Sequence, residues 1–273
     1  MKKYVNLFVF VFMVGTCFSQ GKAQTKSAVS YKNPVVDIAM PDPTVIKATD
    51  GYFYVYATES TRNVPIMKSK DLVQWTYCNT AFTNKTRPRF EPKAGIWAPD
   101  INYISGKYVL YYAMSVWGGE QTCGIGVATA DSPQGPFTDH GKMFRSNEIG
   151  VQNSIDPSFL QYEGRNYLVW GSFRGIYVIE LTEDGLSLKP GAEKKRIAGT
   201  AFEAAYIHKH GDYYYMFASI GSCCEGIRST YKVVVGRSKK VWGPYKDKSG
   251  KPMLKNGYSL VIGANDHFVG NGH

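Results

Sequence analysis

From Asn33 onward the chain alternates short apolar runs with polar turns. No stretch of ten residues carries an apolar stripe at i, i+3 and i+4. The pattern therefore predicts strands and no helix of ordinary length. Four units share one order of parts. Each opens on an acid in an apolar run: Asp42 in MPDPTVI, Asp100 in WAPDINYI, Asp156 in SIDPSFL and Glu203 in FEAAYI. A turn glycine follows (Gly51, Gly106, Gly164, Gly211), and then an aromatic strand such as YFYVYA or KYVLYYA. A third strand is predicted in VPIMKSKD, GIGVATAD, GIYVIELT and YKVVVGRSK. An outer strand closes the unit near Trp75, near Phe137, or in GPYKD at 243–247.

Successive turn glycines lie 55, 58 and 47 residues apart. A repeat of roughly 40–50 residues with four short strands is the mark of a propeller blade. A β-sandwich would explain evenly spaced hairpins, but not an acid in nearly the same place of every unit. Offsets from acid to glycine are nine, six, eight and eight residues, so the acids are expected to face one shared axis. Four units run to about Met253, and a fifth opens at Tyr258 with SLVIGANDHFVGNGH. The expected fold is all-β, a five-bladed β-propeller over 33–273 whose fifth blade is incomplete at the C-terminus. Unpaired strand edges and lowered stability follow from that expectation.

Composition adjusts this picture in three places. At 273 residues the chain is long enough for one sizeable core, and 20 Tyr with 28 Gly suits many strands and turns. The net charge of +10 raises nucleic acid as a partner, but the basic residues are scattered rather than gathered on one face or arm, which argues against it. Lys2 and Lys3 before an apolar run over 5–18 read as an export signal spanning 1–24, followed by a polar lead-in at 25–32. That run is too short for a transmembrane helix. Thr16 before Cys17 makes a poor lipoprotein signal. Cys78, Cys123, Cys223 and Cys224 remain, with no CxxC pair to suggest zinc, and their spacing fixes no disulfide pairing. Neighbours in a strand point to opposite faces, so one of Cys223 and Cys224 is placed to face a site.

Several carboxylates on one axis are what glycoside hydrolysis requires. One must be ionised to take a proton from water, and another must be protonated to release the leaving oxygen. Crowding like charges raises the proton affinity of at least one of them. Carboxylates from different blades stand apart across a channel, leaving room for a water and favouring inversion at the anomeric centre.

The ordered set PDPTVI, WAPD, NSIDPS, FEAAYI and SCCEGIRSTYKVVVGRSKKVWGPYKDKSG resembles glycoside hydrolase family 43, and within it the arabinan endo-1,5-α-L-arabinanases. The likeness runs over 33–273. It implies Asp42 as general base, Glu203 as general acid, and Asp156 as the carboxylate that orients the acid. It also implies substrate contacts at Asn153, Ser154 and Ser172. Trp97 and Phe173 are candidates for stacking on a furanose face, Trp117 with Gly118 for the cleft rim, and Asp100 for organising the channel. His273 matches the family's Gly-x-Gly-His histidine, which implies a channel ion, calcium, held otherwise by water. Imidazole is an unusual calcium ligand, so such a site would be weak.

The expected function is an exported hydrolase, periplasmic or extracellular and monomeric, cutting internal α-1,5 bonds in the arabinan side chains of pectin. Two alternatives stand beside it. One is an exo-acting arabinofuranosidase or β-xylosidase on the same fold. The other is a carbohydrate-binding propeller without turnover.

Overall fold

The computed structural model describes residues 30–266, 269, 270 and 272. The unit Asn33–His273 forms the propeller, and of the residues before it only 30–32 are described, without regular structure. The proposed export signal lies outside the described residues.

Four antiparallel meanders of four strands follow one another along the chain. The first comprises β1 (Thr44–Lys47), β2 (Phe53–Tyr56), β3 (Pro65–Ser69) and β4 (Trp75–Thr80). The second comprises β5 (Gly95–Ile104), β6 (Lys107–Ser115), β7 (Gly124–Ala130) and β8 (Thr138–Arg145). The third is β9 (Ser158–Tyr162), β10 (Arg165–Trp170), β11 (Ile176–Glu180) and β12 (Lys195–Ala198). The fourth is β13 (Glu203–His210), β14 (Tyr213–Ile220), β15 (Lys232–Ser238) and β16 (Ser259–Ile262). One four-residue α-helix, α1 (Ser146–Ile149), and two single 3-10 turns are the helical content of the described residues.

The aromatic strands β6 and β10 are buried on both faces because each lies between two neighbouring blades, whereas β14 is half-buried over most of its length. In β6 the alternation of period two divides the work. Leu110 and Tyr112 pack with Tyr54, Tyr56 and Ile66 of the first blade, whereas Val109 and Tyr111 pack with Leu168 and Trp170 of the third. In β10, Val169 turns the other way and joins Met216 and Val234 of the fourth blade. Three inter-blade cores thus join the four sheets in order. Burying so many tyrosines is tolerable only if each hydroxyl finds a partner. Tyr111 donates to the Gly185 carbonyl at 2.8 Å, Tyr56 to that of Pro133 and Tyr245 to that of Val241. Among the described residues no buried side-chain nitrogen or oxygen lacks a hydrogen-bond partner.

Two expectations about the last unit are corrected. The described residues form four complete blades rather than five. The run at 259–262, expected to open a fifth blade, is the outer strand of the fourth, with Val234 opposite Leu260 and Val235 opposite Ser259. The segment GPYKD, expected to be that outer strand, is instead a loop whose Lys246 forms an isolated bridge to Arg237 of β15 and another to Pro252 in the chain that follows. The physical reason lies in two residues. Pro244 has no N–H to give a ladder, and Tyr245 is turned wholly into the core. The edge of β15 is left for the β-branched and aliphatic residues of β16.

Candidate active site

In an antiparallel meander the start of the first strand and the end of the second lie at the same end. The residues before β1, β5, β9 and β13, and those after β2, β6, β10 and β14, therefore gather on one face. At that face every inner strand carries one residue in the left-handed region: Asp42 (φ 52°), Ala98 (φ 40°), Asp156 (φ 58°) and Ala204 (φ 53°). Non-glycine residues seldom sit there, and such strain clusters at functional sites. In β5 and β13 the same place is a bulge, between Trp97 and Asp100 and between Glu203 and Tyr206.

This register sorts the four acids. Asp42 and Asp156 occupy equivalent positions, and Glu203 immediately precedes the fourth. Asp100 lies two residues further along its strand, opposite Tyr111, where the other blades have Thr44, Ser158 and Tyr206. The short acid-to-glycine offset of six was the sign of this in the sequence. Asp100 is half-buried and ties three blades together. It accepts from the Phe159 amide at 2.7 Å, from Asn102 Nδ2 at 2.8 Å and from Thr44 Oγ1 at 3.3 Å. Desolvation pushes its carboxyl up to about 6, against the pull of those three donors. Between about pH 4, the range of an ordinary aspartate, and about pH 6, the folded chain holds a proton that the unfolded chain has lost. Asp100 thus lowers stability as pH rises through that window. Replacing it, Asp100→Asn, should lessen the loss of thermal midpoint from pH 4 to pH 7 relative to the wild type. An unchanged difference would remove Asp100 as its source.

The other three carboxylates converge. Asp42 is half-buried and accepts from Thr58 Oγ1, which itself accepts the Ala98 amide at 2.7 Å. Asp156 is buried and accepts from the Ala204 amide at 3.2 Å. Burial raises its carboxyl well above the usual range, and the charges of Glu203 and Asp42 add to that. Glu203 is buried between two hydroxyl donors, Ser172 Oγ at 2.6 Å to Oε2 and the Tyr231 phenol to Oε1. Burial pushes the Tyr231 hydroxyl far above its ordinary value, with the neighbouring Glu203 and Asp156 contributing, so it stays a donor. Cys223 is the member of the cysteine pair that faces this cluster. Burial first, then Cys224, pushes its thiol up to about 12, and the Glu203 and Asp42 charges add to the shift. All four described cysteines are free thiols.

The remaining candidates form the surroundings. Ser172 is buried and accepts from Asn153 Nδ2 at 2.9 Å, so both act on Glu203 as a chain of hydrogen bonds. Asn153 (φ 56°) is pinned by its amide to the Glu120 carbonyl at 2.7 Å. Ser154 faces away from solvent, donating to the Val151 carbonyl at 2.8 Å and accepting from Trp170 Nε1 at 3.1 Å, and so holds the segment rather than lining the cleft. Phe173 (φ 50°) is half-buried, its amide on the Phe202 carbonyl at 2.9 Å. Trp97 is half-buried with its ring 5.4 Å from that of Trp117, which is 78% exposed beside exposed Gly118. Arg174 braces this rim by gripping Glu120 with Nε at 3.1 Å and Nη2 at 2.9 Å. Thr58, Tyr231, Glu120 and Arg174 were missed in the sequence. Tyr231 stood inside the quoted STYK run, and only the fold shows which way it points.

His273 lies outside the described residues. Among the described residues no group of three or more His, Cys, Asp or Glu is arranged to hold a metal ion. No helix among them is long and apolar enough to cross a membrane.

The chain is similar to known proteins. The chain is 38% identical over 245 residues to the extracellular endo-α-(1→5)-L-arabinanase 1 of Bacillus subtilis, covering 85% of this chain and 75% of that one. It is 35% identical over 260 residues to the extracellular exo-α-(1→5)-L-arabinofuranosidase ArbA of Cellvibrio japonicus, covering 85% and 73%. Among solved structures, the Cellvibrio cellulosa α-L-arabinanase complexed with arabinohexaose superposes with a TM-score of 0.77 at 34% identity, over 85% of this chain and 81% of that one. The model of glycosyl hydrolases family 43 matches residues 31–273, a span that takes in all four blades and the three converging carboxylates, and the chain belongs to that family.

Proposed function

We propose that this chain is an exported, monomeric hydrolase that cleaves internal α-1,5-L-arabinofuranosidic bonds of arabinan by a single displacement with inversion. The observation that carries the reading is the convergence of Asp42, Asp156 and Glu203 from three different blades on one face. Asp42 takes a proton from a water that attacks the anomeric carbon. As the C1–O bond breaks, Glu203 gives its proton to the departing O5 of the next sugar. Asp156 lies against both, and burial with like charge favours a proton within this cluster. The tryptophan pair and Phe173 supply apolar faces on which furanose rings can stack. The names of the relatives support arabinan as substrate and an extracellular place of action.

A calcium ion beside His273 belongs to the same proposal. With imidazole and water as its main ligands it would be exchangeable and would add positive charge to the channel. The proton transfers themselves need only the chain's carboxylates.

Product analysis on linear α-1,5-arabinan tests the reading. A ladder of short oligosaccharides, with new reducing ends of inverted configuration at the earliest times, is the expected result. Arabinose alone would replace endo by exo action. Binding without products would reduce the chain to a carbohydrate-binding propeller. Treatment with a chelator is expected to lower the rate and calcium to restore it. A rate indifferent to both would remove the ion.

A further inference from the structure

Glu203 is held by two donors of different character. Ser172 is reached through Asn153 and the rim. Tyr231, one residue ahead of β15, is buried, and Gly270 and Gly272 pack against it. A methyl group added to Gly272 would stand 2.3 Å from Tyr231 Cδ1, 2.6 Å from Cγ and 2.7 Å from Cε1. One added to Gly270 would meet Ser229 Cβ at 3.1 Å and Tyr231 Cβ at 3.5 Å. Backbone approaching a ring this closely leaves no room for any side chain, which is one of the uses of glycine. The phenol is thus clasped between the Gly270 and Gly272 backbone and the Glu203 carboxylate.

We infer that Tyr231 is a positioning residue of the general acid, its hydroxyl fixing the Glu203 carboxyl toward the leaving oxygen while Gly272 fixes the ring. The inference rests on Glu203 being the proton donor. A carboxylic acid with two oxygens can turn about its last torsion, a broad and nearly two-fold well. With Ser172 on Oε2 and Tyr231 on Oε1 the carboxyl plane is set from both sides. Losing one side lets the plane rotate, and a small misplacement at a reacting centre costs much rate.

The test is Tyr231→Phe, which keeps the ring and its packing on Gly272 but has no hydroxyl. The kcat on arabino-oligosaccharides is expected to fall about 10- to 100-fold, the effect of losing one hydrogen bond to the carboxylate charge that develops on Glu203 as its proton leaves, with KM within about twofold. On aryl arabino-oligosaccharides with an acidic leaving phenol the defect should shrink, because that departure needs little proton transfer. A purely structural role would not depend on the leaving group, so an equal defect on both substrates, or none on either, overturns the inference. A second variant, Gly272→Ala, displaces the ring from the other side. It should show the same leaving-group dependence, and an unaltered kcat would overturn the clasp. Glu203→Gln assayed alongside separates the two levels. If it is inactive while Tyr231→Phe behaves as wild type, only the positioning role fails. If it retains full activity, the assignment of Glu203 itself fails.

Discussion

Glu203→Gln should reduce turnover of linear arabinan by about 10²- to 10⁴-fold, the usual contribution of a positioned acid, while leaving affinity for arabino-oligosaccharides within a few-fold. The amide oxygen accepts from one of the two hydroxyls, Ser172 and Tyr231, and the amide N–H can donate to the oxygen of the other, so little of the loss can come from an unpaired buried group. It cannot donate a carboxylic proton to a departing alkoxide, which leaves poorly without one. The check is initial-rate kinetics beside calorimetric binding of an arabino-oligosaccharide. Loss of both rate and binding would indicate a collapsed site, and a wild-type rate would remove Glu203 from the chemistry. An alanine in its place is a coarser probe, because it leaves two buried hydroxyls without their acceptor, at about 1–3 kcal/mol each.

Asp42→Asn should cause a loss of similar size, about 10²- to 10⁴-fold in kcat, but with a different dependence on substrate. Asp42 acts on the water, not on the leaving group. An acidic aryl leaving group should therefore restore much of the rate to Glu203→Gln and little to Asp42→Asn. Asparagine still accepts from Thr58, so the link from Asp42 through Thr58 to the Ala98 amide is expected to survive. Combining the two substitutions should cost less than the product of the single effects, because residues acting in one step are not additive. Equal recovery of both variants with the aryl substrate would mean that the base and acid assignments are not distinct.

The clustering also explains why these groups lie where the backbone is strained. Asp42 and Asp156 hold the left-handed conformation at the same point of their blades, and in the second and fourth blades alanines hold it. Aspartate tolerates that region better than most residues. A bend at this point interrupts or bounds strand pairing and turns a side chain toward the axis. The scaffold thus repeats four times, and chemistry is grafted on only some of the copies. In the second blade the acid has moved inward by two residues and become a strut between blades. In the fourth it has moved out by one and become the proton donor proposed here.

Strand identity, the four inner acids and the family were all legible in the sequence, because they depend on local chemistry. Period-two alternation, glycines at turns and acids beside prolines survive whatever the rest of the chain does. What the sequence could not decide was anything set by partners distant along the chain. Whether 243–247 or 259–262 takes the edge of β15 is a competition between two segments for one row of hydrogen bonds, settled by Pro244 and the buried Tyr245. Whether Asp100 joins the reacting carboxylates or braces three blades depends on a bulge of register in β5. That Ser154 turns inward, and that Tyr231 turns onto Glu203 beneath Gly272, depends on side-chain direction within a packed interior. Pattern fixes which residues exist on a strand and roughly where. Only close packing, which admits one arrangement of bulges and rotamers at native density, decides which of them meet.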